Sequence, residues 1–192
     1  MQMQHIDSQK RDRTVYVNDP TDQMEEHLKY KVVNRNKSKI NDFQCQVYFR
    51  DQIFDFQLSN VFSTASFAVL FFCPYDFSEQ SRIDLTQIEE NYTKFIERGA
   101  IPIVITHDRA HVHWAYASPD KTTESLKFKP SFILASDSVD KLISTSYKAI
   151  DMQNLEMIRS VVVIDSDLNI IFTCHVPPIK FFPIQPILNC FQ

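Results

Sequence analysis

From about residue 43 onward, short stretches with a two-residue hydrophobic period give way to longer stretches with a helical one. Cys45, Val47 and Phe49 alternate with polar neighbours, and Ile53, Phe54 and Phe56 follow after Arg50-Asp51-Gln52, which predicts a β-hairpin. The run Phe67-Ala68-Val69-Leu70-Phe71-Phe72 is unbroken and aromatic-rich, as suits a strand buried on both faces. Pro74 stops it, having no N–H for a ladder. Ile83, Leu85, Ile88, Tyr92, Phe95 and Ile96 then recur at roughly helical spacing. They predict a helix over residues 79–96, closed by Gly99 with Arg98 complementing its dipole.

The pattern continues in the same alternation. Residues 100–105 predict a second buried strand, and His107 begins a helix for which Asp108 is the expected cap. A short strand over 132–135 precedes a helix over 139–150, capped by Asp137 and carrying Leu142, Ile143 and Tyr147. Residues 159–165 and 169–174 predict a hairpin around Ser166-Asp167-Leu168. A terminal helix after Pro183 or Pro186 would bury Ile187, Leu188 and Phe191. Residues 1–40 are polar and predict an extension, partly ordered at best, with a short strand at Thr14-Val15-Tyr16-Val17. Within it, Thr21 or Asp22 is a candidate cap for a helix reaching Lys31. Strand–helix alternation followed by a hairpin and helix implies one α/β domain over 41–192, a thioredoxin-like three-layer sandwich around a central mixed sheet.

Composition changes this picture little. A 44% hydrophobic chain of 192 residues supports one good core, and a net charge of −4 gives no signal for nucleic-acid binding. No apolar run approaches the ~20 residues of a membrane helix. Met1 to Asp12 contains no apolar signal core, so an intracellular, cytoplasmic setting is the reading, with a mitochondrial one left open. Cys45, Cys73, Cys174 and Cys190 are widely spaced and predict free, mostly buried thiols. There is a single glycine, Gly99, so turns needing positive φ are expected to fall on residues such as Asp167 or Asn169.

One stretch carries the candidate chemistry. A buried strand running through a short turn into a helix N-terminus presents unpaired N–H groups and a dipole that favours anions and thiolates. The residues there, Pro74-Tyr75-Asp76-Phe77-Ser78-Glu79-Gln80-Ser81, resemble the peroxiredoxin motif Pro-x-x-x-Thr/Ser-x-x-Cys. His111-Val112-His113-Trp114 is similar to that family's His-x-x-Trp segment, and Arg159-Ser160-Val161-Val162-Val163-Ile164-Asp165 to its Arg-Gly-hydrophobic-Ile-Asp strand. Val176-Pro177 resembles the family's Leu-Pro after the last strand.

The resemblance implies that Pro74 shields a peroxide site, that Ser78 orients peroxide, and that Arg159 stabilises thiolate and peroxide. It places Ser81 where the peroxidatic cysteine belongs, with Ser81-Arg82-Ile83-Asp84 in place of Cys-Pro-x-Glu. A serine hydroxyl neither ionises at neutral pH nor forms a reducible oxidised state. The two-cysteine members' arm with its resolving cysteine has no counterpart before Gln192, and Lys148 and Ser160 stand at usual glycines.

Two readings follow. The first is a member without thiol-peroxidase activity, acting as a pseudoenzyme, subunit or interaction module. The second is a thiol peroxidase or oxidoreductase in antioxidant defence that uses a displaced cysteine, Cys73, whose Cys73-Pro74-Tyr75 matches the start of a glutaredoxin site. His107, His111 and His113 do not complete a tetrahedral set, so neither metal nor cofactor is expected. The apolar Ile170-Ile171-Phe172 predicts self-association as a homodimer, or a heteromeric contact, through an exposed C-terminal edge strand over 169–176. If the old pocket is intact, Ser81→Cys should yield a thiol of depressed pKa.

Overall fold

The computed structural model describes residues 14–17, 30–33, 38–137 and 140–191. Its strands are β1 (Thr14–Val17), β2 (Tyr30–Val33), β3 (Gln44–Phe49), β4 (Gln52–Gln57), β5 (Phe67–Phe72), β6 (Ala100–Thr106), β7 (Ile133–Ser136), β8 (Ser160–Asp165) and β9 (Ile170–His175). The helices are α1 (Glu79–Ile96), α2 (Ala110–Tyr116), α3 (Leu142–Ser146) and α4 (Ile184–Leu188). The strands form one mixed sheet in the order β1-β2-β9-β8-β5-β6-β7-β3-β4. β5, β6 and β7 run parallel through the crossovers α1 and α2, while β8 and β3 flank them antiparallel.

β5 shows why its apolar run is continuous. Val69, Phe71 and Cys73 face one core with Leu85, Ile88 and Phe95 of α1 and Ile187 and Leu188 of α4. Ala68, Leu70 and Phe72 face the other, built with Leu58, Val61, Ile143 and Tyr147. Alternate side chains point to opposite faces, so a central strand covered on both sides must be apolar at every position. This is the expected three-layer sandwich.

The α1 boundaries match the hydrophobic period. Ser78 caps the helix by accepting from Ser81 N at 3.0 Å, and Gly99, at φ 66, takes the left-handed turn after it. Other elements differ from expectation. α3 covers only Leu142–Ser146, because Lys141 (φ 51) and Lys148 (φ 54) break the helical path on either side. Asp137 still caps it, accepting from Ile143 N (3.1 Å) and Ser144 N (2.7 Å). Asp108 does not cap α2. Its carboxylate accepts from Asp76 N at 2.6 Å, and Arg109 takes the cap position without a side-chain bond. In the β8–β9 turn the positive φ falls on Leu168 (φ 62), not on Asp167 or Asn169. The Asp165 carboxylate accepts from Asp167 N, Asn169 N and Asn169 Nδ2, which ties those residues down and leaves Leu168 to turn the chain.

The N-terminal segment changes the sheet's outline. Tyr30 and Lys31 lie in strand β2, not at the end of a helix; the rest of that expected helix lies outside the described residues. β2 pairs with β9 at Lys31–His175 and Val32–Cys174. Ser38 and Ile40 bond the other end of the same strand, through Ile170 N to Ser38 O and Ile40 N to Leu168 O. The strand over 169–176 is therefore not an open edge as expected. Part of the polar N-terminal extension lies along it.

Candidate functional site

β5 delivers the chain to the site. Cys73 N bonds Ile105 O on β6 at 2.9 Å, and Pro74 then turns the backbone out of the sheet, its carbonyl accepting from His107 N. Asp108 holds the turn from the side by accepting from Asp76 N. Phe77, at φ 54, makes the final bend and lays its ring 4.8 Å from that of Tyr116. A phenylalanine pays for positive φ in strain, which these contacts offset.

Three of the expected site residues share this turn. Pro74 is half-buried at the strand exit, and Ser78 is exposed at the helix cap. Ser81, in the first turn of α1, is only 2% exposed. The Ser78 hydroxyl is committed locally: it accepts from Ser81 N and donates to Tyr75 O at 3.2 Å. The Ser81 and Tyr116 hydroxyls, both buried, lie beside one another, and neither bonds any other group. Burial pushes the Tyr116 phenol up to about 12, with Ser81 partly offsetting the rise.

Arg159 stands just before β8 and is 7% exposed. It forms a two-pronged ion pair with Asp84 of α1, Nε to Oδ2 at 2.9 Å and Nη2 to Oδ1 at 2.7 Å. Nη1 donates to Pro177 O (2.6 Å) and Pro178 O (3.3 Å), and Nη2 to Lys180 O (3.0 Å). Guanidinium has five N–H donors, and these bonds engage all of them. The group also lies over the Phe182 ring at 5.2 Å. Arg159 thus straps residues 177–182 to α1, aided by Gln87, which exchanges two 2.9 Å bonds with the Phe182 backbone. Burial raises the Asp84 pKa, and Arg159 opposes that rise.

Two further residues, of which the sequence reading gave Tyr116 no role, lie in this region. α2 turns His113 and Tyr116 inward, both fully buried, and leaves His111 and Trp114 exposed. The inward pair at i, i+3 spacing is His113-x-x-Tyr116, while His111 and Trp114, the pair matched to the family's His-x-x-Trp segment, lie on the outer face of α2. His113 Nδ1 lies 2.7 Å from Asp76 Oδ2, with both side chains wholly inaccessible. The helical spacing of Ala110, His113, Tyr116 and Ala117 was the available signal. His107 sits ahead of α2, so it shares no helical face with His111. Among the described residues no group of three or more His, Cys, Asp or Glu could hold a metal ion.

Of the four cysteines, Cys73 and Cys174 are buried and Cys45 and Cys190 half-buried. Cys73 is fully buried, and burial, with Asp84 adding to it, raises its pKa well above the ordinary value. Burial lifts Cys45 and Cys174 to about 12, and Cys190 upward as well. A hollow of about 510 Å³ is lined by Cys45, Arg109, His111, Ser136 and Asp137 among others, and by none of the expected site residues.

Solved structures share this architecture. The reduced 2-Cys peroxiredoxin of Plasmodium vivax superposes with a TM-score of 0.70 at 18% identity, covering 81% of this chain and 79% of that one. Enterococcus faecalis AhpC gives 0.69 at 17%, covering 81% and 89%. The mitochondrial 2-Cys peroxiredoxin of Plasmodium falciparum gives 0.67 at 19%, covering 81% and 90%. No curated protein matches the sequence. At these identities the neighbours show the fold, which is the thioredoxin-like fold of peroxiredoxins. The sequence itself matches the AhpC/TSA family over residues 37–173, most of its length, from β3 through β9, and to that family the chain belongs.

Proposed function

We propose that this AhpC/TSA-family chain has lost thiol-peroxidase activity and acts through its surfaces, as a subunit or interaction module that includes contact with copies of itself. The observation that carries the reading is Ser81, a buried hydroxyl in the first turn of α1 where the motif calls for a thiolate. Reduction of peroxide needs a sulfur that attacks the O–O bond, becomes sulfenic acid, and is returned by a second thiol. A serine supports none of those steps. The rest of the arrangement agrees: the Ser78 hydroxyl serves as a cap and Arg159 serves as a strap.

The displaced-cysteine reading draws no support from the geometry. Cys73 packs into the core beneath the Asp84–Arg159 pair, with its pKa raised. Native thiol reactivity tests this directly. At neutral pH, Ellman's reagent should react slowly at the half-buried Cys45 and Cys190 and not at Cys73 or Cys174, and dimedone should trap no sulfenic acid after peroxide. Because burial raises the folded-state thiol pKa values, the fold favours the protonated thiols. That contribution is complete below the free thiol value of about 8.5 and erodes as pH rises toward about 12. Rapid dimedone labelling of Cys73 in the folded protein would overturn the proposal.

A further inference from the structure

With β9 covered, the described sheet ends at β1 on one side and β4 on the other. β4 exposes an apolar side chain on each face, Ile53 (44% exposed) and Phe54 (39%). Its backbone is also poised outward in a definite way. The β3–β4 hairpin turns through Arg50 and Asp51, both at positive φ, so Phe49 and Gln52 close the ladder. In a two-residue hairpin that closing pair exchanges its hydrogen bonds, and bonded pairs alternate along the strand. Gln52, Phe54 and Phe56 therefore bond to β3, while the N–H and C=O groups of Ile53 and Asp55 point away from the sheet.

We propose that this edge pairs antiparallel with β4 of a second copy of the chain, across a two-fold axis centred on Phe54. The inference builds on the interaction part of the proposed function and not on the loss of turnover. An isologous contact is what two identical edges form, and a two-fold axis through a sheet makes the pairing antiparallel.

Register follows from charge and face. Residues opposite one another must share a face, so the axis passes through a residue and not between two. Centring on Ile53 sets Asp51 against Asp55, and centring on Asp55 sets that carboxylate against itself; like charges directly opposite are destabilising. Centring on Phe54 avoids both. It places Ile53 opposite Asp55, the two residues with outward backbone groups, so they exchange bonds reciprocally on each side of the axis. Phe54 meets its own copy in the non-hydrogen-bonded position, where side chains approach most closely. Ile53 and Phe54 then each gain a cross-strand neighbour, on opposite faces of the extended sheet.

Sedimentation velocity over a concentration series tests the proposal with the full chain. The wild type should show a concentration-dependent dimer. Asp55→Pro removes an outward N–H without touching the bonds to β3, and Phe54→Lys sets two cations together; each should weaken the dimer about tenfold or more. Circular dichroism confirms that both variants fold. Phe54→Cys should cross-link across the axis under mild oxidation, beyond the wild-type background, whereas Ile53→Cys should not. A chain monomeric at every concentration overturns the proposal, as does a dimer indifferent to both variants. Equal cross-linking at positions 53 and 54 overturns the register. Peroxide turnover has no bearing on any of these readouts, so this inference and the loss of catalysis fail separately.

Discussion

Replacing Arg159 with alanine should destabilise the protein by about 3–5 kcal/mol, the range for breaking a buried ion pair by removing one partner. The reason is what remains. Asp84 is fully buried, and apart from Arg159 it accepts from Gln80 Nε2 at 3.0 Å. The carbonyls of Pro177, Pro178 and Lys180 also lose their common donor, so the segment crossing to Phe182 should loosen. The pH dependence separates this account from a simple packing loss. Burial already raises the Asp84 pKa, and Arg159 opposes the rise. Without Arg159 the carboxyl should titrate higher still. A raised folded pKa means that the neutral form is favoured, so the variant's deficit should shrink as pH falls through that pKa. Chemical denaturation at several pH values measures this, and adding Asp84→Asn should recover part of the loss at neutral pH. A loss under ~1 kcal/mol, flat with pH, would show that the pair is not what holds the strap.

The second large effect concerns the old nucleophile position. Ser81→Cys should give a thiol with a pKa at or above the free value of about 8.5. The sequence alone points the other way, since a helix N-terminus and nearby arginines favour a thiolate. Magnitudes decide. A helix terminus contributes roughly 0.3–1 kcal/mol, less than one pKa unit, whereas full burial moves a group by up to 3–5 units. Ser81 is 2% exposed, and Arg159 has its charge paired with Asp84 and its donors committed. Neighbouring Cys73 shows the balance: after burial, Asp84 raises its pKa by more than Arg159 lowers it. The rate of alkylation of the variant as a function of pH is the measurement. A pKa well below 8 would mean that the thiolate-stabilising pocket survives intact, one substitution from use.

Much of the domain was legible because its signals are side-chain signals. The β5 run, the α1 period, the Gly99 stop and the two hairpins are each written in which residues are apolar and where the turn residues fall. What escaped depends on the backbone or on partners far along the chain. β2 joins the sheet by pairing with β9, and its four residues, Tyr30-Lys31-Val32-Val33, are too few to carry a periodic mark of that. α3 is cut short by lysines at positive φ, a conformation for which glycine would have been the warning. Asp108 was drawn from its helix by an amide 32 residues away. At the site, Ser81 and Arg159 were found by motif, but the spending of all five Arg159 donors on Asp84 and residues 177–180 could be seen only in three dimensions. Tyr116 carried no motif signal, and its place in the core beside His113 follows from the inward face of α2.

The central claim is that the chain does not reduce peroxides, and steady-state peroxide consumption tests it most directly. The full protein is assayed with hydrogen peroxide and an alkyl hydroperoxide, with reducing equivalents from thioredoxin and, separately, from glutathione. The account predicts consumption no faster than the reductant alone, and the same trace for Cys73→Ser. Turnover well above that background, abolished by Cys73→Ser, would contradict it and establish a peroxidase working from a displaced thiol.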